Sequence, residues 1–146
     1  MMAQLVDHSA LRTNQVGIIA TVLVAFAASA VFWSAVWLIP LLAVVLLAGT
    51  VRPDWALFKQ LYFRVLRPRG IVAARPGEDN PAAHNFAQGM GGVVLAVASL
   101  LLPLAAPAGL ALALLVAALA FVNLAFGFCA GCQIYYLLGR QGLIRT

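Results

Sequence analysis

Cys129 and Cys132 are the only thiols in the chain, and they stand in the string Gly127-Phe128-Cys129-Ala130-Gly131-Cys132. A Cys-x-x-Cys spacing lets one thiol form a mixed disulfide that the other resolves, so the chemistry on offer is thiol–disulfide exchange or sulfur transfer. In that reading Cys129 attacks and Cys132 resolves. The plainer alternative is that two small apolar side chains fill a tight helix crossing, since cysteine is often buried for no chemical reason. Zinc would need two further ligands, which only His8 and His84 could offer. Both histidines read as exposed, solvated loop residues, so neither a metal nor a cofactor is expected. Three amides could support the thiols: Asn123, Gln88 and Gln15. Asn123 comes near them only if Gly127 turns the chain. Otherwise it is a hydrogen-bond contact between helices, as polar side chains in membrane spans commonly are. Gln15 and Gln88 could face each other, or simply bond at helix ends.

The elements that must hold these residues follow from composition. The chain is 64% hydrophobic and 9% charged, where a soluble domain carries roughly a quarter charged residues. It belongs in a bilayer. Nine Lys and Arg against four Asp and Glu give a net charge of +5, too sparse and too local to indicate nucleic acid. No Gly-rich phosphate loop or His-rich metal motif is present, which removes nucleotide-driven and conventional metalloenzyme chemistry.

From Thr13 to Val51 nothing is charged. One helix of that length would run about 58 Å, twice a hydrocarbon core of about 30 Å, so the segment folds back. Hairpin one is placed at about 14–50, with Pro40 expected to kink its second helix. A basic surface helix follows at about 53–66, then a loop at about 67–84, hairpin two at about 86–126, and a thiol-bearing final helix at about 129–138. Every Lys and Arg falls outside the spans, on one side, and the two short turns carry none. The positive-inside rule then puts both termini and the central loop in the cytoplasm. Asp7 and Arg12 read as an ion pair at the start of the first span. Ala87, Gly91, Gly92, Ala96 and Ser99 give the third span a close-packing surface.

Gln60, Leu61, Tyr62, Phe63, Val65 and Arg67 match Gln133, Ile134, Tyr135, Tyr136, Leu138 and Arg140 at a constant offset of 73 residues, and the same offset carries Gln15 onto Gln88. A duplication predicts an all-α bundle of four transmembrane spans, built of two similar hairpins, each followed by an inner-surface helix. Two spans per half give both copies one orientation, related by an axis along the membrane normal. In the first half the place equivalent to the cysteines opens the surface helix. By analogy Gly127 breaks the fourth span and Cys129 lies at a helix start, where free amides favour a thiolate. If the helix runs straight through instead, Cys129, Cys132 and Tyr136 share one face and no activation follows.

These strings resemble a family of small bacterial integral membrane proteins known as domain of unknown function 4395. The resemblance rests on Val6-Asp7 with Arg12-Thr13-Asn14-Gln15, on Arg67-Pro68-Arg69, on Phe86-Ala87-Gln88 and on the Gly127 to Cys132 string. It implies a bacterial cytoplasmic membrane protein. The family's neighbourhood of thioredoxin-like and sulfurtransferase functions implies a cytoplasmic carrier of that kind as partner, beside the lipid bilayer, with no nucleic acid. Three functions follow in order: a thiol–disulfide or sulfur relay, a non-catalytic subunit or scaffold, and a small-solute transporter. The last is weakened by the absence of an acid or base within the spans.

Overall fold

The computed structural model describes residues 4–144, which leaves Arg145 of the basic residues outside the description. Strand β1 (Gln4–Asp7) leads into α1 (His8–Ser29), and a 3-10 segment (Trp33–Trp37) runs into α2 (Leu38–Val51). A short 3-10 turn (Pro53–Trp55), α3 (Leu57–Leu61) and a π-helical turn (Tyr62–Leu66) make the first surface segment. Strand β2 (Pro76–Asp79), α4 (Pro81–Leu101), α5 (Ala106–Phe126) and α6 (Ala130–Arg140) complete the chain. Four stretches are long and apolar enough to cross a membrane: His8–Ser29, Trp33–Val51, Pro81–Leu101 and Ala106–Phe126. The protein is a four-span helical bundle of two hairpins.

The packing is crossed. Helix α2 lies against α4 and α1 against α5, so the second helix of each hairpin packs on the first helix of the other. The core between them is aliphatic, with Ile18 and Val22 of α1, Ile39, Leu42 and Leu46 of α2, Leu95 and Ala98 of α4, and Ala113 and Val116 of α5. Leu23, Val44, Leu100 and Phe121 point outward, as a lipid-facing surface requires. Two hydroxyls within the spans bond to their own helices: Thr21 Oγ1 donates to the Gly17 carbonyl at 2.7 Å and Ser99 Oγ to that of Leu95 at 2.7 Å. Neither is thereby left bare in an apolar surrounding.

Three expectations change. Pro40 is the third residue of α2, so its missing N–H falls in the first turn, where helical amides have no partner anyway, and the local irregularity is the 3-10 segment before it. Asp7 does not pair with Arg12. It caps α1 by accepting from the Ser9 amide at 3.0 Å, and also accepts from the Arg75 amide at 3.1 Å and the Tyr62 hydroxyl at 2.9 Å. The loop expected over 67–84 contains β2, which pairs antiparallel with β1 in the register Gln4↔Asp79, Leu5↔Glu78, Val6↔Gly77, Asp7↔Pro76.

That register carries the duplication. Shifting every residue by the 73-residue offset turns Gln4↔Asp79 into Gly77↔Val6, which is another rung of the same ladder. The strands therefore pair about the axis that relates the halves. Equivalent positions also do equivalent work: Asp7 and Asn80 cap α1 and α4 with their side chains, and Ala56 and Cys129 are the N-cap residues of α3 and α6. Tyr62 and Tyr135 are both buried, at 0% and 8% exposure. Their rings meet those of Phe63 and Tyr136 edge to face.

Candidate functional site

The thiols owe their place to one backbone feature. Helix α5 ends at Gly127, whose φ of 71° is left-handed and whose N–H bonds to the Asn123 carbonyl at 2.9 Å. Only glycine takes that conformation without steric cost. The chain then leaves the axis of α5 and starts α6 at Ala130, with Cys129 as its N-cap. Cys129 and Cys132 form a disulfide, their Cα atoms 5.2 Å apart. The Cys132 amide donates to Cys129 Sγ at 3.2 Å, as a serine cap would accept from the same position. In the reduced pair this amide and the helix end favour a Cys129 thiolate.

Helix α6 reaches α4 closely because Gly131 has no side chain; a Cβ there would sit 2.6 Å from Ala87 Cβ. Phe86 and Tyr135 fix the crossing, with ring centroids 5.5 Å apart. The approach sets Cys132, 6% exposed, beside a residue expected in a solvated loop. His84 belongs to α4, which starts at Pro81 rather than near Phe86. Its side chain is 15% exposed, and its Nδ1 lies 3.6 Å from Cys132 Sγ. The other ring nitrogen, Nε2, meets Asp79 Oδ2 at 2.7 Å. A carboxylate only accepts, so Nε2 carries the hydrogen and Nδ1 of the neutral ring turns a lone pair toward the sulfur.

Asp79 is itself held. Its Oδ1 accepts from the Asn80 amide at 2.8 Å. Partial burial raises its pKa, but the hydrogen bond from His84 and that from the Asn80 amide leave it below the ordinary carboxylate value. Asp79, His84 and the sulfur of Cys132 thus stand in line, the carboxylate on one nitrogen of the imidazole and the sulfur beside the other. His84, Cys129 and Cys132 also offer three donor atoms within 4.8 Å of one another. One histidine approaches the thiols because of how the helices pack; His8 is not part of the group.

The expected amides gather nearby. A cavity of about 170 Å³ is lined by Cys129, Asn123, Gln15 and Gln88 together, with His84 and Lys59. Gln15 and Gln88 do not bond to each other. Gln88 Oε1 accepts from Asn14 Nδ2 at 3.4 Å, and its Nε2 donates to the Leu46 carbonyl at 3.0 Å. Asn123 does not bridge helices: its side chain, like those of Gln15 and Lys59, makes no hydrogen bond or ion pair among the described residues. Burial lowers the pKa of Lys59 from the usual lysine value. Residues related by the repeat line the cavity in pairs, Leu11 with His84, Asn14 with Ala87, Gln15 with Gln88 and Ile18 with Gly91. The cavity therefore straddles the pseudo-twofold axis, while both cysteines lie in one half. At the offset of 73, Cys129, Cys132 and His84 correspond to Ala56, Lys59 and Leu11.

Asp79, His84 and Lys59 were not among the residues expected to act. Two signals point to the histidine and the lysine. Asn80-Pro81 is a helix start, an amide cap followed by proline, which brings His84 into the first turns of α4. The repeat sets Lys59 in the place of Cys132. Comparison with known proteins matches residues 6–140 to the family described as Domain of unknown function (DUF4395). Neither a curated protein nor a solved structure matches the chain.

Proposed function

The chain belongs to the family of the domain of unknown function DUF4395, and we propose that it is a thiol–disulfide exchange protein working through Cys129 and Cys132 at one end of a membrane bundle. The observation that carries this is the environment of Cys132. A pair that only packed would need neither a histidine at 3.6 Å from the sulfur nor a carboxylate fixing that histidine from behind. Cys129, partly buried at the start of α6, is the nucleophile toward a partner. Cys132 resolves the mixed disulfide after giving its proton to His84 Nδ1. The partner is a thioredoxin-like carrier, and the concentration of Lys and Arg at this end orients it to the cytoplasm, with both termini, in a bacterial cytoplasmic membrane.

Differential alkylation of the protein in intact cells and in bilayer discs tests the reading. Cys132→Ser is expected to trap mixed disulfides through Cys129, while Cys129→Ser traps none. Equal and slow alkylation of both thiols, no trapped partner from either variant, and undisturbed assembly when both become Ala would return the pair to a packing role. Retention of zinc by the reduced pair with His84, lost in His84→Ala, would recast the three donors as a metal centre.

A further inference from the structure

A thiol pair at a membrane boundary needs somewhere to send or collect two electrons, and the cavity beside Cys129 has the size and chemistry of one such site. A cavity of about 150 Å³ in a protein interior holds a benzene ring; the volume here is about 170 Å³. It is therefore of a size to take one six-membered ring. Gln15, Lys59 and Asn123 line it and make no hydrogen bond among the described residues. Leu115, Leu119 and Ile134 also line it and are exposed, at 49%, 45% and 39%. A ring held inside can thus carry an apolar tail out into lipid. Of the two cysteines, Cys129 lines the space and Cys132 does not.

We propose that this cavity binds the head group of a single-ring membrane quinone, and that the Cys129–Cys132 pair exchanges two electrons with it. The proposal rests on the thiol–disulfide reading and names its lipid-side substrate. The donors suit a ring bearing two carbonyl oxygens, which only accept hydrogen bonds, and the lysine ammonium suits the negative charge those oxygens gain on reduction.

The exchange balances without another reactant. The Cys129 thiol gives its proton to water and, as the thiolate, attacks a ring carbon; a carbon–sulfur bond forms, and the displaced electron pair moves to a carbonyl oxygen, which takes a proton from the Lys59 ammonium, restored in turn from water. Cys132 then loses its proton to His84 Nδ1 and attacks Cys129 Sγ. The sulfur–sulfur bond forms, the carbon–sulfur bond breaks, its electron pair stays with the ring, and the second oxygen takes the proton that His84 carries. The dithiol loses two electrons and two protons, and the quinone gains both and becomes a quinol. Cys129 meets the ring and Cys132 meets the base, which is the division of labour the two steps require.

The test uses the full chain in bilayer discs, reduced to the dithiol, freed of reductant and mixed without oxygen with a benzoquinone carrying a ten-carbon tail. Quinone loss is followed by its ultraviolet absorbance and disulfide formation by mass-tag labelling. The expected result is one quinol and one disulfide per protein. Lys59→Met and Gln15→Leu are expected to raise the quinone concentration giving half-maximal rate by tenfold or more, with a smaller change in the saturated rate. Leu119→Trp, which fills the cavity from α5, should block quinone reduction in protein that still elutes as a single species. Thiols that exchange with dithiothreitol but leave the quinone oxidised would overturn the quinone site and spare the thiol reading. Thiols inert toward both would remove the two together.

Discussion

His84 turns its two nitrogens to two different partners, and the acidic one decides which nitrogen is free to act as a base. Asp79 accepts from Nε2, so the basic nitrogen is the one near Cys132. Removing the base while keeping Cys129 separates the steps. His84→Ala is expected to slow resolution of a preformed Cys129 mixed disulfide by roughly 100-fold or more, the usual size of general-base assistance. Alkylation of Cys129 in the reduced protein should stay within a few-fold; quenched-flow mass spectrometry reads both, and equal slowing of the two would deny His84 its role. Asp79 also contributes to stability. Its pKa in the folded protein lies below the ordinary value, so its contribution is complete above the unfolded carboxylate value of about 3.9 and is lost as pH falls through the folded value. Thermal unfolding in detergent should thus be insensitive to Asp79→Asn below that range and destabilised by it near neutrality. At this scale the sequence exposed the thiols and the amides, because their spacing and polarity stand out in an apolar chain. It concealed His84, whose meaning depends on Cys132, a residue 48 positions away.

Each functional element here is set by a glycine. Gly127 in the left-handed region makes α5 stop, and Gly131 lets α6 settle against Ala87. Gly127→Ala forces a side chain into that region at about 1–2 kcal/mol and is expected to lower the unfolding temperature by a few degrees. Gly131→Ala should act differently. Its Cβ meets α4 backbone and the Ala87 Cβ, so α6 must move away and Cys132 must leave His84. That variant is expected to retain its four spans while losing the asymmetry of alkylation between Cys129 and Cys132, as measured by thiol labelling; preserved asymmetry would show that the helix crossing does not set the site. The break at Gly127 was open on sequence alone, and the repeat argued for it through the helix after Pro53. The strand pair was not legible, since four-residue strands give too short an alternation to separate from a loop. The start of α4 was set too late because a charged, Pro-bearing segment looked like a connection.

The two halves are intertwined rather than adjacent, since α2 packs on α4 and α1 on α5. A chain cut in the exposed turn at Gly70, whose φ of 68° marks a tight bend with open space around it, leaves every span whole. Coexpressed halves 1–69 and 70–146 are expected to copurify through a tag on either one, and each half alone should fail to accumulate because its inner face has no partner. Independent accumulation of the first half would mean that α1 and α2 satisfy each other, against the packing described. At this scale hydropathy and charge spacing were enough for the four spans, because an apolar run longer than the bilayer must turn back. The crossed packing was not, because nothing in a helix's own composition says which neighbour it will meet.

The ladder between β1 and β2 has a consequence for the order in which the molecule is made. Gln4 is made well before Asp79, opposite it, which appears only after both spans of the first hairpin. At about 5–20 residues per second the strand waits roughly 4 to 15 s for its partner. Throughout that interval Asn14 stands in a membrane without Gln88, its later hydrogen-bond mate, and the inner faces of α1 and α2 look for any surface like the missing one. On a crowded polysome the nearest such surface is the second hairpin of another nascent copy. The β1–β2 clasp can close before the second hairpin is made, and it is thus the step that ties the first half to its own chain's second half rather than to a neighbour's.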